Sequence, residues 1–319
     1  MTTLITGGTG FIGSFLARHL TETTNEELIL YDYIINEKRI KDLKDNSRVL
    51  IIQGDLSNWS ELKSCFDSHQ PIENIFHFGS LMPPHTETKT EDAFRVNIQG
   101  TFNILECASL FSTSNVYYSS SAAIYSPGVD LPITEKTYRE PLTMYGVGKV
   151  CSEVLGTFYH RRKNVNFVTL RLPALIGPGR TGAGMTIYAN NIIQYPAQGL
   201  KGVCNVEPEI TIPILYIKDV TQLLGSLLER KSISEQAYNL DGFWISAKEL
   251  ANLVQQEIPE AVIEYEPDDE LSILLKFLSM MEGDDTLTRK DLNFKPVYSP
   301  EKLVKDFISE VQENPQYKV

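Results

Sequence analysis

Tyr145 and Lys149 are the residues of this sequence whose types and spacing point most directly to chemistry. They stand four apart in an apolar-periodic run, Met144 to Phe158, and so leave one face of a helix. An ammonium beside a phenol stabilises the phenolate, drawing a pKa of about 10 towards working pH and making a general base. A Tyr-x-x-x-Lys pair alone describes many surface pairs, so its weight depends on what precedes it. Two features do. Gly7, Gly10 and Gly13 stand three apart between the apolar run ending at Ile5 and the helical run Ser14 to Leu20. That spacing suits a strand, a tight turn that lets a pyrophosphate approach the backbone, and a helix packed on the strand. Asp32 closes the next apolar run, 25 residues past Gly7, where a ribose 2′-hydroxyl would be read. The second feature is Ser119-Ser120-Ser121, three hydroxyls ending the apolar run that begins at Asn115.

These residues need a frame. Apolar runs at 1–5, 27–32, 49–56, 74–80, 115–121 and 164–172 alternate with helical stretches, the signature of an α/β fold with a doubly wound parallel sheet and right-handed crossovers. Ligands bind such sheets at the carboxyl edge. Asp55, Gly79 and Ser80 lie there, and Asp55 also reads as the N-cap of a helix starting near Asn58. The loop after residue 80, with Met82, is placed to shape a substrate. His77, between Phe76 and Phe78, reads as a satisfied structural histidine. A helix is expected over 90–111 with Phe94, Ile98, Leu105 and Ala108 on one face, where the Asn97 amide must be hydrogen-bonded to neighbouring backbone.

The glycine- and proline-rich stretch 173–184 reads as a crossing into a smaller, mostly helical lobe. Beyond it we expect a helix over 187–195, a strand over 213–219, a helix to 230 and a last short strand at 238–240. Helices near 247–257, 268–281, 286–292 and 300–312 complete the chain. The expected domains are 1–172 with 214–240 for the dinucleotide, and 173–213 with 241–319 for the substrate, which the cleft between lobes would hold. Thr186 and Tyr188, with Ser80 and Ser121, supply hydroxyls for a small polar substrate.

With 319 residues, 42% of them hydrophobic, the chain can bury a sizeable core. A formal net charge of −12, with no basic block longer than Arg161-Arg162-Lys163, argues against nucleic acid and anionic membrane as partners. No run approaches the roughly 18 apolar residues of a membrane span, and no signal sequence is expected ahead of the glycine motif. Cys65, Cys107, Cys151 and Cys204 lack metal-ligand spacing and read as free thiols in the cytoplasm, so no metal is expected.

Taken in order, Thr6–Gly13, Asp55-Leu56, Asn97–Leu105, Ser119–Ser121 and Tyr145–Lys149 resemble the extended short-chain dehydrogenase/reductase family, the NAD-dependent epimerase/dehydratase group. The resemblance implies a Rossmann-type fold, NAD as cofactor, and a catalytic trio of Ser121, Tyr145 and Lys149. It adds Phe11, Ile12, Leu56, Phe78, Ser119 and Pro173 to the cofactor residues, beside Tyr145 and Lys149 themselves. It also implies a homodimer through helices 90–111 and 145–160, which carry Phe102, Phe111, Val147 and Cys151 on further apolar faces. The segments 141–149, 201–208 and 213–219 are most similar to the L-threonine 3-dehydrogenase subgroup, with Met185–Tyr188 departing from that subgroup's pattern. Pro173 and Ile212 stand where members acting on nucleotide sugars carry asparagine and arginine, so no diphosphate is expected on the substrate. The favoured expectation is an NAD-linked dehydrogenase of a small hydroxy compound. The alternatives are a sugar or nucleotide-sugar epimerase and an NAD-binding sensor without turnover.

Overall fold

The computed structural model describes residues 1–319 apart from Ala183, Lys231 and the side chain of Phe277, so part of the expected 173–184 crossing lies outside the described residues. The strands are β1 (Thr2–Thr6), β2 (Glu27–Asp32), β3 (Val49–Gln53), β4 (Asn74–His77), β5 (Asn115–Ser121), β6 (Asn166–Leu172), β7 (Ala174–Ile176), β8 (Gly202–Cys204), β9 (Thr211–Tyr216), β10 (Ala237–Asn239), β11 (Phe243–Ser246) and β12 (Ile263–Tyr265). Seven of them form one parallel sheet in the order β10-β6-β5-β4-β1-β2-β3. The order reverses on either side of β1, and at such a switch point loops diverge and leave a crevice at the carboxyl edge.

Burial explains the sheet. β1, β2, β4, β5 and β6 are buried along most of their length on both faces, as a sheet covered on both sides requires. At the opposite, amino edge an asparagine ladder pins the register: Asn166 Nδ2 donates to Asn115 Oδ1 at 2.8 Å, and Asn115 Nδ2 to Asn74 Oδ1 at 2.9 Å. On one face Leu4, Ile75, Val116 and Phe167 pack with Phe66, Leu105 and Tyr159 from the covering helices.

The segment expected as one helix over 90–111 is Thr90–Ala93, a π-helical turn Phe94–Gln99 and an α-helix Gly100–Leu110. A π turn inserts residues into the helical register and rotates what precedes it. Leu105 and Ala108 are therefore buried as expected, whereas Phe94 is exposed.

Two compact units are distinguished. The first comprises Met1–Ser126, Tyr138–Leu172 and Thr221–Asn239; the second comprises Pro127–Thr137, Pro173–Val220 and Leu240–Val319. The expected strand 213–219 differs in extent and in place. It is β9, which pairs with β7 in parallel and β11 in antiparallel within the second unit, while Lys218 and Asp219 already belong to the helix Ile217–Leu227. The first unit thus resumes at Thr221 rather than 214. β7, β8, β11 and β12 were not expected. They are three or four residues long, and their pairing is set by tertiary partners rather than by local pattern. In the second unit the helices Ile187–Gln194, Ala247–Glu257 and Pro300–Glu313 pack on one another. The last two begin at the N-caps Ser246 and Ser299. Among the described residues no helix is long and apolar enough to cross a membrane.

The helix Met144–Lys163 reaches the sheet through Gly156, where an added Cβ would lie 2.1 Å from Phe167 Cε1 on β6. Gly156→Val is therefore expected to destabilise the protein by about 1–3 kcal/mol through overpacking. Urea unfolding would show this as a lowered midpoint with unchanged slope, and an unaltered midpoint would contradict the close approach.

Candidate active site

At the carboxyl edge the backbone is stripped of side chains where a dinucleotide would lie. Gly7 has φ +63°, and a Cβ there would sit 2.9 Å from the Gly79 nitrogen; a Cβ on Gly13 would sit 2.3 Å from the Gly7 carbonyl oxygen. Only glycine meets both demands. Gly10 is the N-cap of the helix Phe11–Thr23 and no side chain caps it, so the first N–H groups, at Phe11 and Ile12, are offered to an anion. Leu56 packs at Gly79, where a Cβ would come within 2.5 Å of its Cδ1. At the end of β2, Asp32 Oδ2 accepts from Thr9 N at 3.0 Å and Thr9 Oγ1 at 2.8 Å, which fixes the carboxylate beside the glycine loop.

Asp55 holds its expected place but not its expected capping role. Asn58 caps the helix Trp59–Ser68, accepting from Ser60 N and Glu61 N, because a residue immediately before the helix reaches those groups and Asp55 does not. Asp55 instead accepts from Ser57 N at 2.8 Å and Ser57 Oγ at 2.7 Å, and from Arg95 Nη1 at 2.9 Å. Burial raises its carboxyl, and these Ser57 and Arg95 contacts outweigh that and hold it below the ordinary value. Bare glycine path, open helix terminus and fixed carboxylate together fit the diphosphate and ribose of NAD.

His77 is satisfied on both ring nitrogens, Nδ1 at 2.6 Å from Thr6 Oγ1 and Nε2 at 3.0 Å from Thr101 Oγ1. Burial, with Lys149 nearby, pushes it down to about 3, so it is neutral at working pH. Phe78 N donates to Thr6 O at 3.1 Å and Gly79 N to Thr6 Oγ1 at 3.2 Å, which ties the end of β4 to β1. Ser80 Oγ donates to Phe78 O at 3.5 Å. Asn97 grips Leu81 on both sides, accepting its N–H at 2.7 Å and donating to its carbonyl at 3.0 Å, as the buried amide required.

β5 and the helix Met144–Lys163 carry the three residues of the expected trio. The helix starts at Thr143, whose Oγ1 accepts from Gly146 N at 3.0 Å. Gly146 lies so close to the turn Ala122–Ile124 that a Cβ would fall 2.3 Å from the Ala123 carbonyl oxygen. Ser121 opens that turn, its Oγ accepting from Ala123 N at 3.1 Å. Tyr145 and Lys149 are both buried. Lys149 Nζ lies 5.4 Å from the Tyr145 ring centroid, 4.8 Å from that of Tyr118, and donates to Ser119 O at 2.6 Å. Burial pulls the ammonium down to about 7, while Glu153 one turn further on pulls it up.

Glu153, four residues past Lys149 and so on the same helix face, is a further buried charge of the site that this spacing signals. It is buried with Arg171 of β6, Oε1 accepting from Nε at 3.0 Å and Oε2 from Nη2 at 2.8 Å; Arg139 Nη1 adds a third bond at 2.8 Å. Burial raises the Glu153 carboxyl, and the Arg171 and Arg139 contacts more than offset it. Arg171 Nη1 donates to Tyr125 Oη at 2.7 Å, and Tyr125 Oη to Asn239 Oδ1 at 2.9 Å.

Met82 is exposed in the first unit, while Pro173, Thr186 and Tyr188 belong to the second. Thr186 Oγ1 accepts from Arg180 Nη2 at 3.5 Å. Tyr188 is buried, which pushes its phenol up, and its hydroxyl meets no hydrogen-bond partner among the described residues.

The chain is 27% identical over 314 residues to the mitochondrial L-threonine 3-dehydrogenase of Bos taurus, an alignment covering 94% of this chain and 80% of that protein. It is 28% identical over 272 residues to D-erythronate dehydrogenase of Cupriavidus necator, covering 82% and 83%. The solved L-threonine dehydrogenase of Clostridium difficile superposes with a TM-score of 0.87 at 27% identity, covering 98% of each chain. Residues 3–240 match the model of the NAD dependent epimerase/dehydratase family, and the chain belongs to that family of NAD-dependent dehydrogenases and epimerases.

Proposed function

We propose that this chain is an NAD-linked dehydrogenase that oxidises a secondary alcohol of a small polar substrate through Ser121, Tyr145 and Lys149. The observation that carries the reading is the buried Lys149 ammonium 5.4 Å from the Tyr145 ring, on one helix face and next to the serine-tipped end of β5. NAD, when bound, supplies the hydride acceptor. The Ser121 hydroxyl holds the substrate hydroxyl, and Tyr145 takes its proton. Lys149, anchored on the Ser119 carbonyl, stabilises the phenolate that does so. Gly7, Gly10, Gly13 and the N–H groups of Phe11 and Ile12 hold the diphosphate, and Leu56, Phe78, Gly79 and Ser80 are further cofactor residues. Asp32 accepts from the ribose hydroxyls and repels a 2′-phosphate, so NAD is favoured over NADP. On this reading the first unit carries the cofactor, and the second, through Thr186 and Tyr188, takes part in substrate selection.

Charge supports a substrate without a diphosphate. In the second unit Lys218 pairs with Glu310 at 2.6 Å and Asp306 at 2.7 Å, Lys276 with Glu207 at 2.5 Å, Arg289 with Asp285 at 2.7 Å, and Lys201 with Glu264. Arg180 is engaged by the Leu175 carbonyl and Thr186. A buried diphosphate would need cations that these carboxylates already occupy. The relatives named for L-threonine and D-erythronate act on short hydroxy acids, which fits the same class.

The first unit leaves Phe94, Phe102, Val147, Val154 and Phe158 exposed on the helical segments expected to pair, and Phe102 and Phe158 both meet the Tyr159 ring edge-on. Apolar exposure of this kind supports a homodimer through that face. The four free cysteines fit a reducing cytoplasm.

The test is a panel of L-threonine, D-erythronate, free sugars and UDP-glucose with NAD, followed by nicotinamide absorbance and product identity. Net NADH from a hydroxy acid is expected; an epimerised sugar without net NADH would replace this reading. Tyr145→Phe is expected to cut kcat by about 100-fold or more while NAD affinity stays within about three-fold, since the lost group is a base rather than a binding contact. Turnover at the wild-type rate would sink the mechanism. Sedimentation at micromolar concentration should give a dimer, and a monomer there would reject the paired face.

A further inference from the structure

The first turn of the Tyr145 helix has an accounting that its own sequence does not close. A helix leaves its first N–H groups without intrahelical acceptors, and one N-cap side chain serves one or two of them. Thr143 takes Gly146 N. The N–H groups of Met144 and Tyr145 are served from 57 and 58 residues away, by Glu87: Oε2 accepts from Met144 N at 2.9 Å and Oε1 from Tyr145 N at 3.2 Å.

Glu87 belongs to the short helix His85–Thr88, at the end of the loop that follows β4. Its start is fixed by Asn97, which grips Leu81 from both sides. Its end is fixed by Thr86, which is wholly buried and donates from Oγ1 to Glu87 Oε1 at 2.8 Å. The segment carrying Met82 is thus strung between the Asn97 amide and the backbone of Tyr145.

We infer that Glu87 is a positioning residue for Tyr145, coupling the loop after β4 to the tyrosine's helix. The inference rests on the proposed role of Tyr145 as base. An exposed carboxylate in an ordinary ion pair contributes little. Here the carboxylate instead accepts two N–H groups, one of them on Tyr145 itself, at the positive end of the helix. Its loss leaves both donors to water and frees the turn that sets where the phenol points. A substrate resting on the loop at Ser80 and Met82 bears through Glu87 on the group that takes its proton.

The test compares Glu87→Ala and Glu87→Gln with Tyr145→Phe in the full, NAD-loaded protein, using the panel compound that reduces NAD fastest. Glu87→Ala is expected to lower kcat by about 10-fold with the KM for NAD within about two-fold, the pattern of lost alignment rather than lost binding. Glu87→Gln retains one acceptor oxygen and is expected to recover most of the rate. Amide hydrogen exchange, which needs no substrate, should speed by about 10-fold at Met144 and Tyr145 in Glu87→Ala. Unchanged kcat, or exchange at those amides as slow as in the wild type, would overturn the inference. So would kcat falling only in proportion to NAD affinity. An inactive Tyr145→Phe beside a fully active Glu87→Ala rejects Glu87 alone, whereas an active Tyr145→Phe rejects the role of Tyr145 first.

Discussion

The structure depends on burying one ammonium. Taking a lysine charge out of water costs several kcal/mol unless hydrogen bonds and opposite charge meet it. Lys149 is nonetheless fully enclosed at the carboxyl edge of the sheet. The Ser119 carbonyl receives it, which requires β5 to end where it does. Glu153 lies one turn away on the same helix, and that carboxylate is buried because Arg171 of β6 meets it with two bonds and Arg139 with a third. The parallel register of β5 and β6, the close seat of the helix at Gly156 and the arginine pair therefore form one arrangement that fixes where Lys149 points.

Features that local chemistry dictates were legible in the sequence. Gly7 needs a positive φ and a bare approach to Gly79, so its type announces its geometry. The spacing of Tyr145 and Lys149 gives a shared face, and a lone amide or imidazole in an apolar run, as at Asn97 and His77, announces a satisfied buried group. Features set by distant chain were not legible. β7, β8, β11 and β12 are too short for their own pattern to specify them, and β9 takes its partners from both sides in sequence. The π turn at Phe94–Gln99 breaks a period that the sequence shows as continuous. Glu87 gives no local sign of its part, since both acceptors it offers are used by backbone more than fifty residues away. Arg139 likewise reaches Glu153 from a loop.

Charge gives a second, coarser constraint. The chain carries 41 acidic against 29 basic residues, and in the second unit several of the cations are spent on internal pairs. On the proposed reading that charge balance suits a compound of modest charge rather than one whose binding rests on phosphate. In the first unit the group offered to an anion is an uncapped helix start rather than a cluster of basic side chains.

The central claim, that burial of Lys149 sets the protonation of the site, is tested by titrating that one lysine. With lysines labelled at the ε-carbon and Lys149 assigned by comparison with Lys149→Met, its resonance is expected to titrate near pH 7, far below the ordinary lysine value of 10.5. Because the folded value is depressed, this lysine costs stability while charged, and the cost is relieved as pH rises from about 7 towards 10.5. Stability relative to Lys149→Met should therefore rise across that window. A resonance that titrates with the exposed lysines would mean that water reaches Lys149, and the account built on its burial would fail.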